Sequence, residues 1–138
     1  MKRFELTPLP LDEGAIVASV QAPGAGAVVS FAGRVRDHAR GRQVVRLEYD
    51  AYPGMAERVF AQIAAEAKEK FAVVDIAVHH RSGELLVGDL SVVVAVAAAH
   101  RGSAFDACRY VIDNLKLRAP IWKKEHGPDG AVWVDERP

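Results

Sequence analysis

The longest apolar stretch of the sequence runs from Leu90 to Ala99 and limits the possible fold more than any other feature. It is rich in valine, a β-branched residue that favours extended backbone, and only Ser91 interrupts it. The stretch is too short to span a bilayer as a helix. A continuous apolar run of this length is typical of a strand that is covered on both faces. We therefore predict a buried strand over residues 90–99.

The remaining residues divide into short elements of both kinds. Asp12 can cap a helix that runs to the break at Pro23 and Gly24, and Pro53 precedes a second helix with apolar residues at helical intervals. Further strands are predicted at residues 3–7, 26–35, 44–49, 72–80, 84–87 and 131–134. This mixed order favours an α+β fold with a largely antiparallel sheet, in a single domain over residues 1–138.

A polar, glycine-bearing loop at residues 36–43 separates two of the predicted strands. Because so few residues join the strands at 26–35 and 44–49, we expect the two to form a hairpin. Gly33 lies inside the first of them, where a glycine indicates a bulge or a close approach of another backbone.

The overall composition identifies no partner. The chain has 138 residues with 18 basic and 18 acidic side chains, so its formal charge is zero. Its single cysteine, Cys108, falls on the apolar face of a predicted helix, which excludes an internal disulfide and fits a reducing compartment. The chain start leads into Pro8 and Pro10 rather than into the apolar core of a signal peptide, so we expect a cytoplasmic protein.

Positive charge is instead concentrated in two parts of the sequence. Residues 34–46 contain five arginines and one acidic residue, and residues 101–124 contain six basic and two acidic side chains, a local excess of four in each part. The first part could be a solvated loop, because arginines are common on exposed hairpin tips. If the fold or an oligomer brings the two parts together, they form a pocket for a multiply charged small molecule. Nucleic acid is a weaker candidate, because the total charge is zero and no basic motif is interleaved with aromatic residues.

In the second part, residues 114–125 place four cations around a change of chain direction. The apolar residues that precede them recur at helical spacing: Phe105, Cys108, Ile112 and Leu115. Lys116 therefore lies in the last turns of an amphipathic helix, and Pro120 ends that helix, so that Lys116 and Lys123 can approach only across a bend. Lys116 and Arg118 could simply offset the dipole at a helix C-terminus. Alternatively, crowded lysines in a pocket have lowered pKa values and can act as acids, bases or nucleophiles.

A candidate anion site precedes this helix. The buried strand ends at His100-Arg101-Gly102, and Ser103 followed by Asp106 resembles a capping box. Backbone N–H groups and the positive end of the helix dipole favour a phosphate or carboxylate at such a position, and His100 and Arg101 add donors. Ser103 could equally cap its own helix, which would leave Arg101 as a surface charge.

Other familiar sites find little support in the sequence. His79 and His80 stand at a strand end without cysteines or carboxylates at ligand spacing, so we expect no metal site. The spacing of residues supports no common nucleophile, zinc or dinucleotide motif. The residues alone therefore predict an anion pocket that contains lysines.

Five motifs in order resemble those of the large, catalytic subunit of molybdopterin synthase, in a match that runs from about Gly26 to Arg137. The motifs are Gly33-Arg34-Val35-Arg36-Asp37-His38, Tyr52-Pro53-Gly54-Met55, His80-Arg81-Ser82-Gly83-Glu84-Leu85, Ala99-His100-Arg101-Gly102-Ser103-Ala104-Phe105 and Leu115-Lys116-Leu117-Arg118-Ala119-Pro120-Ile121-Trp122-Lys123-Lys124-Glu125.

The resemblance implies an α/β-hammerhead type of α+β fold and a homodimer with one small ubiquitin-like subunit at each end, a heterotetramer overall. In that family the small subunit ends in Gly-Gly with a C-terminal thiocarboxylate. This tail enters the large subunit and gives up sulfur to cyclic pyranopterin monophosphate, which forms the dithiolene of molybdopterin. The resemblance implies no cofactor and no metal.

The resemblance also implies roles for individual residues. Lys116 and Lys123 match the family's essential lysines, with Lys116 beside the thiocarboxylate carbonyl and Lys123 in acid/base or substrate-binding work. The positions that line the family's pterin-phosphate pocket, some of them contributed by the dimer mate, correspond to Arg36, His100, Arg101 and Arg137. With these roles in place, we expect Pro120 to aim Lys123 back toward Lys116.

A hypothesis from another class stays open. The same basic residues could form a non-catalytic regulatory module that senses a phosphorylated metabolite. A ubiquitin-like partner that ends in Gly-Gly would favour the enzyme, whereas binding of a phosphate ligand without such a partner would favour the sensor.

Overall fold

The computed structural model describes residues 1–134, which form three helices and ten strands. The helices are α1 Glu13–Ser19, α2 Met55–Lys70 and α3 Arg101–Arg118. The strands are β1 Phe4–Thr7, β2 Ala27–Arg34, β3 His38–Ala39, β4 Arg42–Gln43, β5 Arg46–Ala51, β6 Asp75–Arg81, β7 Gly83–Leu86, β8 Leu90–Ala98, β9 Ile121–Gly127 and β10 Gly130–Val134. The predicted buried strand is β8, in which residues 91–98 are all buried.

The first sheet has the strand order β1-β6-β8-β2, so β8 lies inside it. Successive residues of a strand point to opposite faces, and β8 is apolar on both. Val92, Val94 and Val96 belong to the core formed with α2 and α3, whereas the side chains between them pack against α1. Because α3 follows β8 after two residues, it runs back across the sheet. The C-terminal end of α3 consequently lies near the start of β8.

The second sheet has the order β10-β9-β5-β7 and is antiparallel throughout. Across residues 1–134 the single parallel pairing is that of β1 with β6. The α+β fold with mostly antiparallel sheets is therefore confirmed. That the whole of residues 1–138 forms one domain stays a prediction.

Two predictions about the strands were wrong. The strands β2 and β5 do not form a hairpin but belong to different sheets, and the loop between them forms its own small hairpin from β3 and β4. Strand β9 was missed, because its sequence carries Lys123, Lys124 and Glu125 in a row and shows no apolar alternation. The bulge predicted at Gly33 is present as a register shift between Gly33 and Arg34. A Cβ atom on Gly33 would lie 2.9 Å from Cγ1 of Val92, which explains the glycine.

The predicted start of α3 was also wrong. The helix begins at Arg101 after an extended His100, without a side-chain hydrogen bond at the cap, so Ser103 lies inside the first turn. Phe105 is 60% exposed rather than part of the apolar face. Small residues of α3 contact the sheet instead, and they allow a close approach that a phenylalanine would prevent. Cys108 is buried as predicted, and burial raises the pKa of its thiol to about 11.

Within residues 1–134, none of the helices combines the length and apolar character needed to cross a bilayer.

Candidate functional site

The end of α3 and the start of β9 bring the two predicted lysines to one place. Ala119 adopts extended backbone with φ of −67° and ψ of 133°, and its N–H donates to the carbonyl of Leu115 to close the helix. Pro120 follows, and β9 then pairs with β5 so that Lys123 lies opposite Tyr49. The bend expected at Pro120 is therefore present, and it directs the chain from a helix into the second sheet.

Lys116 and Lys123 both border two neighbouring cavities. The first, of about 530 Å³, has walls that include Trp122, Trp133 and Pro120, and we call it the aromatic cavity. The second, of about 430 Å³, has walls that include Arg34, Arg36 and His38, and we call it the arginine cavity. Five residues belong to the lining of both cavities: Tyr49, Ser91, Val92, Lys116 and Lys123. The lysines thus stand at a wall that the two cavities share.

The surroundings of the lysines favour loss of their protons. Burial, followed by the charge of Lys116, lowers the pKa of Lys123 to about 8, although Glu125 opposes this change. Lys116 has an exposed side chain overall, but its partial burial by the cavity walls and the nearby Arg36 lower its pKa as well. Neighbouring cations and desolvation both disfavour the charged form of an amine. One lysine at this site is therefore suited to accept a proton near neutral pH.

Glu125 is a site residue that the sequence analysis missed. It is 2% exposed and, two residues after Lys123 on β9, points to the same face of the sheet. Its Oε2 lies 2.9 Å from Nη2 of Arg40, and its Oε1 lies 3.8 Å from Nη1 of Arg42. A buried carboxylate needs such partners, because an unpaired buried charge is strongly destabilising. Glu125 thereby holds the hairpin of β3 and β4 against the arginine cavity.

The apparent excess of cations is partly an effect of sequence distance. Arg40 and Arg42 pair with Glu125, Arg46 lies 3.7 Å from Glu84, and Arg118 pairs with Glu66 at 2.6 Å. Arg118 therefore joins α3 to α2. Counting charges within a window could not reveal these partners, because sheet pairing and helix packing bring them from distant parts of the chain.

The other predicted binding residues lie in three different situations. Arg36 borders the arginine cavity with both lysines. His100 and Arg101 are exposed at the opposite end of α3, and the 15 residues from Arg101 to Lys116 correspond to about 22 Å of helix. A single copy of the chain therefore does not bring them to the lysines. Arg137 lies outside the described residues.

Among residues 1–134, the structure contains no cluster of three or more histidine, cysteine or acidic side chains arranged to hold a metal ion. His79 and His80, adjacent in sequence, point to opposite faces of the first sheet. The chemistry available at the lysine site is acid/base, nucleophilic and electrostatic.

An α+β domain in which two lysines separate an aromatic cavity from a basic one has the features of a group-transfer enzyme. The chain belongs to the MoaE protein family, whose model matches residues 6–118. Over 96% of its length it is 47% identical to the molybdopterin synthase catalytic subunit 1 of Mycobacterium tuberculosis, of which it covers 90%.

Two solved structures resemble the fold. A molybdopterin synthase from Staphylococcus aureus superimposes with a TM-score of 0.92 at 38% identity, with 97% of this chain and 98% of the other covered. A complex of subunits 1 and 2 of the molybdopterin-converting factor from Helicobacter pylori contains a chain with a TM-score of 0.78 at 25% identity, with 96% and 90% covered. The motif resemblance in the sequence is thus confirmed at the level of family and fold.

Proposed function

We propose that this chain is the catalytic subunit of a molybdopterin synthase, which moves sulfur from the C-terminal thiocarboxylate of a small ubiquitin-like subunit to cyclic pyranopterin monophosphate. One observation carries the proposal: Lys116 and Lys123 border both cavities. A transfer reaction needs a donor and an acceptor that meet at one catalytic group, and a shared wall with two separate approaches provides this arrangement.

The aromatic cavity suits the donor. An extended Gly-Gly tail has no side chains, so it can pass close to the apolar surfaces of Trp122 and Pro120 and bring its carbonyl to Lys116. The ammonium of Lys116 stabilises the negative charge that develops on that carbonyl oxygen. The sulfur forms a bond to a pterin carbon, and water then cleaves the thioester, so the tail leaves as a carboxylate and sulfur stays on the pterin.

The arginine cavity suits the acceptor. The phosphate of the pterin is an anion, and Arg34 and Arg36 provide guanidinium groups that can bind its oxygens. Lys123, with a pKa of about 8, is the candidate base for the proton transfers that accompany sulfur addition and hydrolysis. Two sulfur atoms are transferred to complete a dithiolene, so a spent small subunit must be exchanged for a charged one.

The direct test combines the purified chain with a thiocarboxylated small subunit and the cyclic pterin, and follows molybdopterin formation. We expect product only when all three components are present. Failure to form product with a small subunit that is active with another family member would refute the proposal.

We assign His100 and Arg101 to the pocket of a second copy of the chain, in a homodimer. The basis is their position about 22 Å along α3 from Lys116, at an exposed helix start with donors for an anion. In a twofold dimer each copy can offer this end to the lysines of the other.

A complementation experiment tests this assignment. The variants Lys116→Ala and His100→Ala/Arg101→Ala are each expected to be weakly active or inactive. If the copies exchange randomly, half of the dimers are mixed and each of these has one intact composite site, so activity should return to about a quarter of the wild-type value. No recovery after verified exchange of subunits would show that His100 and Arg101 act within their own chain or not at all.

The competing proposal is a sensor of a phosphorylated metabolite, for which the arginine cavity alone would suffice. The aromatic cavity beside the lysines favours the enzyme, because a sensor has no need of a second approach to the same groups. Copurification of a small protein that ends in Gly-Gly would support the enzyme. We place the reaction in the cytoplasm, where a buried free thiol such as Cys108 is stable.

A further inference from the structure

His80 borders the aromatic cavity together with Lys116 and is held in place from both sheets. On β6 it lies opposite Val92 of β8. Its ring stands edge-on against Tyr49 of β5, with ring centroids 4.9 Å apart and an interplanar angle of 87°. Contacts from two sheets leave the ring little freedom to rotate.

The backbone determines which nitrogen of His80 carries the proton. Nδ1 lies 2.6 Å from the carbonyl oxygen of Arg81. A carbonyl oxygen can only accept, so Nδ1 is the donor, and in the neutral ring Nε2 carries the lone pair. The imidazole therefore offers a hydrogen-bond acceptor at Nε2.

His80 also stays neutral under ordinary conditions. Burial, together with the positive charge of Lys116, lowers the pKa of the imidazole to about 4, against the opposing effect of the bond to Arg81. Around Lys116, the titratable and charged groups are Arg36 after β2, Tyr49 on β5, His80 on β6, and Lys123 and Glu125 on β9. Both cations in that set are donors, and Glu125 is engaged by Arg40, which leaves His80 as a neutral acceptor beside the lysine.

We propose that His80 is a positioning residue whose Nε2 accepts a hydrogen bond from the ammonium of Lys116 and holds it at the wall between the two cavities. The consequence for catalysis rests on the proposed function, but the hydrogen bond itself does not. A lysine side chain has several rotatable bonds, and an acceptor fixed by two sheets selects one orientation among them. Such a bond also stabilises the protonated amine, so its loss lowers the pKa of Lys116 further.

The first test replaces the acceptor while it keeps the aromatic contact. In His80→Phe the ring can still pack against Tyr49, but no nitrogen remains. We expect the NMR titration midpoint of ¹³C-methylated Lys116 to fall by about one pH unit. In the synthase assay kcat should fall on the order of 10- to 100-fold, with little change in the KM for the pterin. His80→Gln places an amide oxygen near the position of Nε2 and should restore most of both values.

The matched control is His79→Gln. His79 is buried on the same strand and hydrogen-bonds the carbonyl of Lys2 at 2.7 Å, but it points to the opposite face of the sheet. Its substitution should lower the melting temperature without moving the Lys116 midpoint. If His80→Phe leaves the midpoint unchanged, or if His80→Gln behaves like His80→Phe, the positioning role is refuted and His80 serves packing alone.

A measurement on the unsubstituted protein covers the case in which His80→Phe does not fold. The ¹⁵N resonances of His80 should report the tautomer protonated at Nδ1 down to about pH 5, and the Nε2 resonance should move in Lys116→Ala. An Nε2 resonance indifferent to Lys116 would overturn the proposal. If these resonances behave as expected while no molybdopterin forms in the assay, the hydrogen bond stands and only the proposed function fails.

Discussion

Lys116→Ala is expected to lower the rate of molybdopterin formation by about a thousandfold, within the range measured for removal of a positioned acid, base or charge-stabilising group. The reason is its location, because Lys116 borders both cavities and no other cation of α3 does so in the described structure except Arg118, which is paired with Glu66. Single-turnover assays with saturating thiocarboxylated small subunit measure the loss directly. Affinity for the small subunit should change by no more than about twofold, because one lysine is a small part of an interface.

The matched control for this variant is Lys124→Ala. Lys124 lies on β9 next to Lys123 but on the other face of the sheet, with its Nζ 5.3 Å from the centre of the Trp133 ring. We expect it to keep nearly full activity. Retained turnover in Lys116→Ala would remove Lys116 from the catalytic residues, and an equal loss in both variants would indicate a general effect of charge.

Lys123→Arg is expected to lower the rate by about a hundredfold and to abolish the rise of activity with pH. With a pKa of about 8, roughly a tenth of Lys123 is neutral at pH 7, compared with well under a thousandth for an amine at its ordinary pKa of about 10.4. The sign follows from this: as pH rises from about 6.5 to 8 the base becomes available and the rate of the unsubstituted enzyme rises, and above about 9 it levels. An arginine keeps its proton throughout.

The measurement is a pH profile of single-turnover rates for both proteins, with binding of the small subunit recorded at each pH. A profile for Lys123→Arg that keeps the midpoint near pH 8 would show that another group titrates, and Lys123 would then be assigned to binding alone. Because Glu125 opposes the shift, Glu125→Gln provides a second check and should move the midpoint of the unsubstituted profile to lower pH.

Much of the fold could be predicted from local patterns. The apolar run of β8, the cap at Asp12 and the break at Pro120 each depend on a few neighbouring residues, and each is present in the structure. β9 could not be found in this way, because its charged side chains are stabilised by partners on β5 and on the hairpin of β3 and β4. The pairing of β2 was mispredicted for the same reason, since short separation in sequence favours a hairpin but the apolar strand β8 is the better neighbour.

The candidate site shows the same division. Lys116, Lys123 and Arg36 were predicted, and the structure brings them together at adjoining cavities. Glu125, Tyr49 and His80 were not, although His80 belongs to one of the motifs that carry the family resemblance. Their relevance comes from burial and contacts, which the residue types alone do not reveal.

By itself, the sequence determined the family, the strand and helix that carry the central core, and the residue types available for chemistry, because apolar periodicity, proline geometry and ordered motifs are properties of the chain. Only the tertiary structure decided which cations have acidic partners, that β9 joins β5, and that the lysines stand between two cavities. Those outcomes depend on contacts between residues as far apart as Arg40 and Glu125, which form only when both sheets assemble.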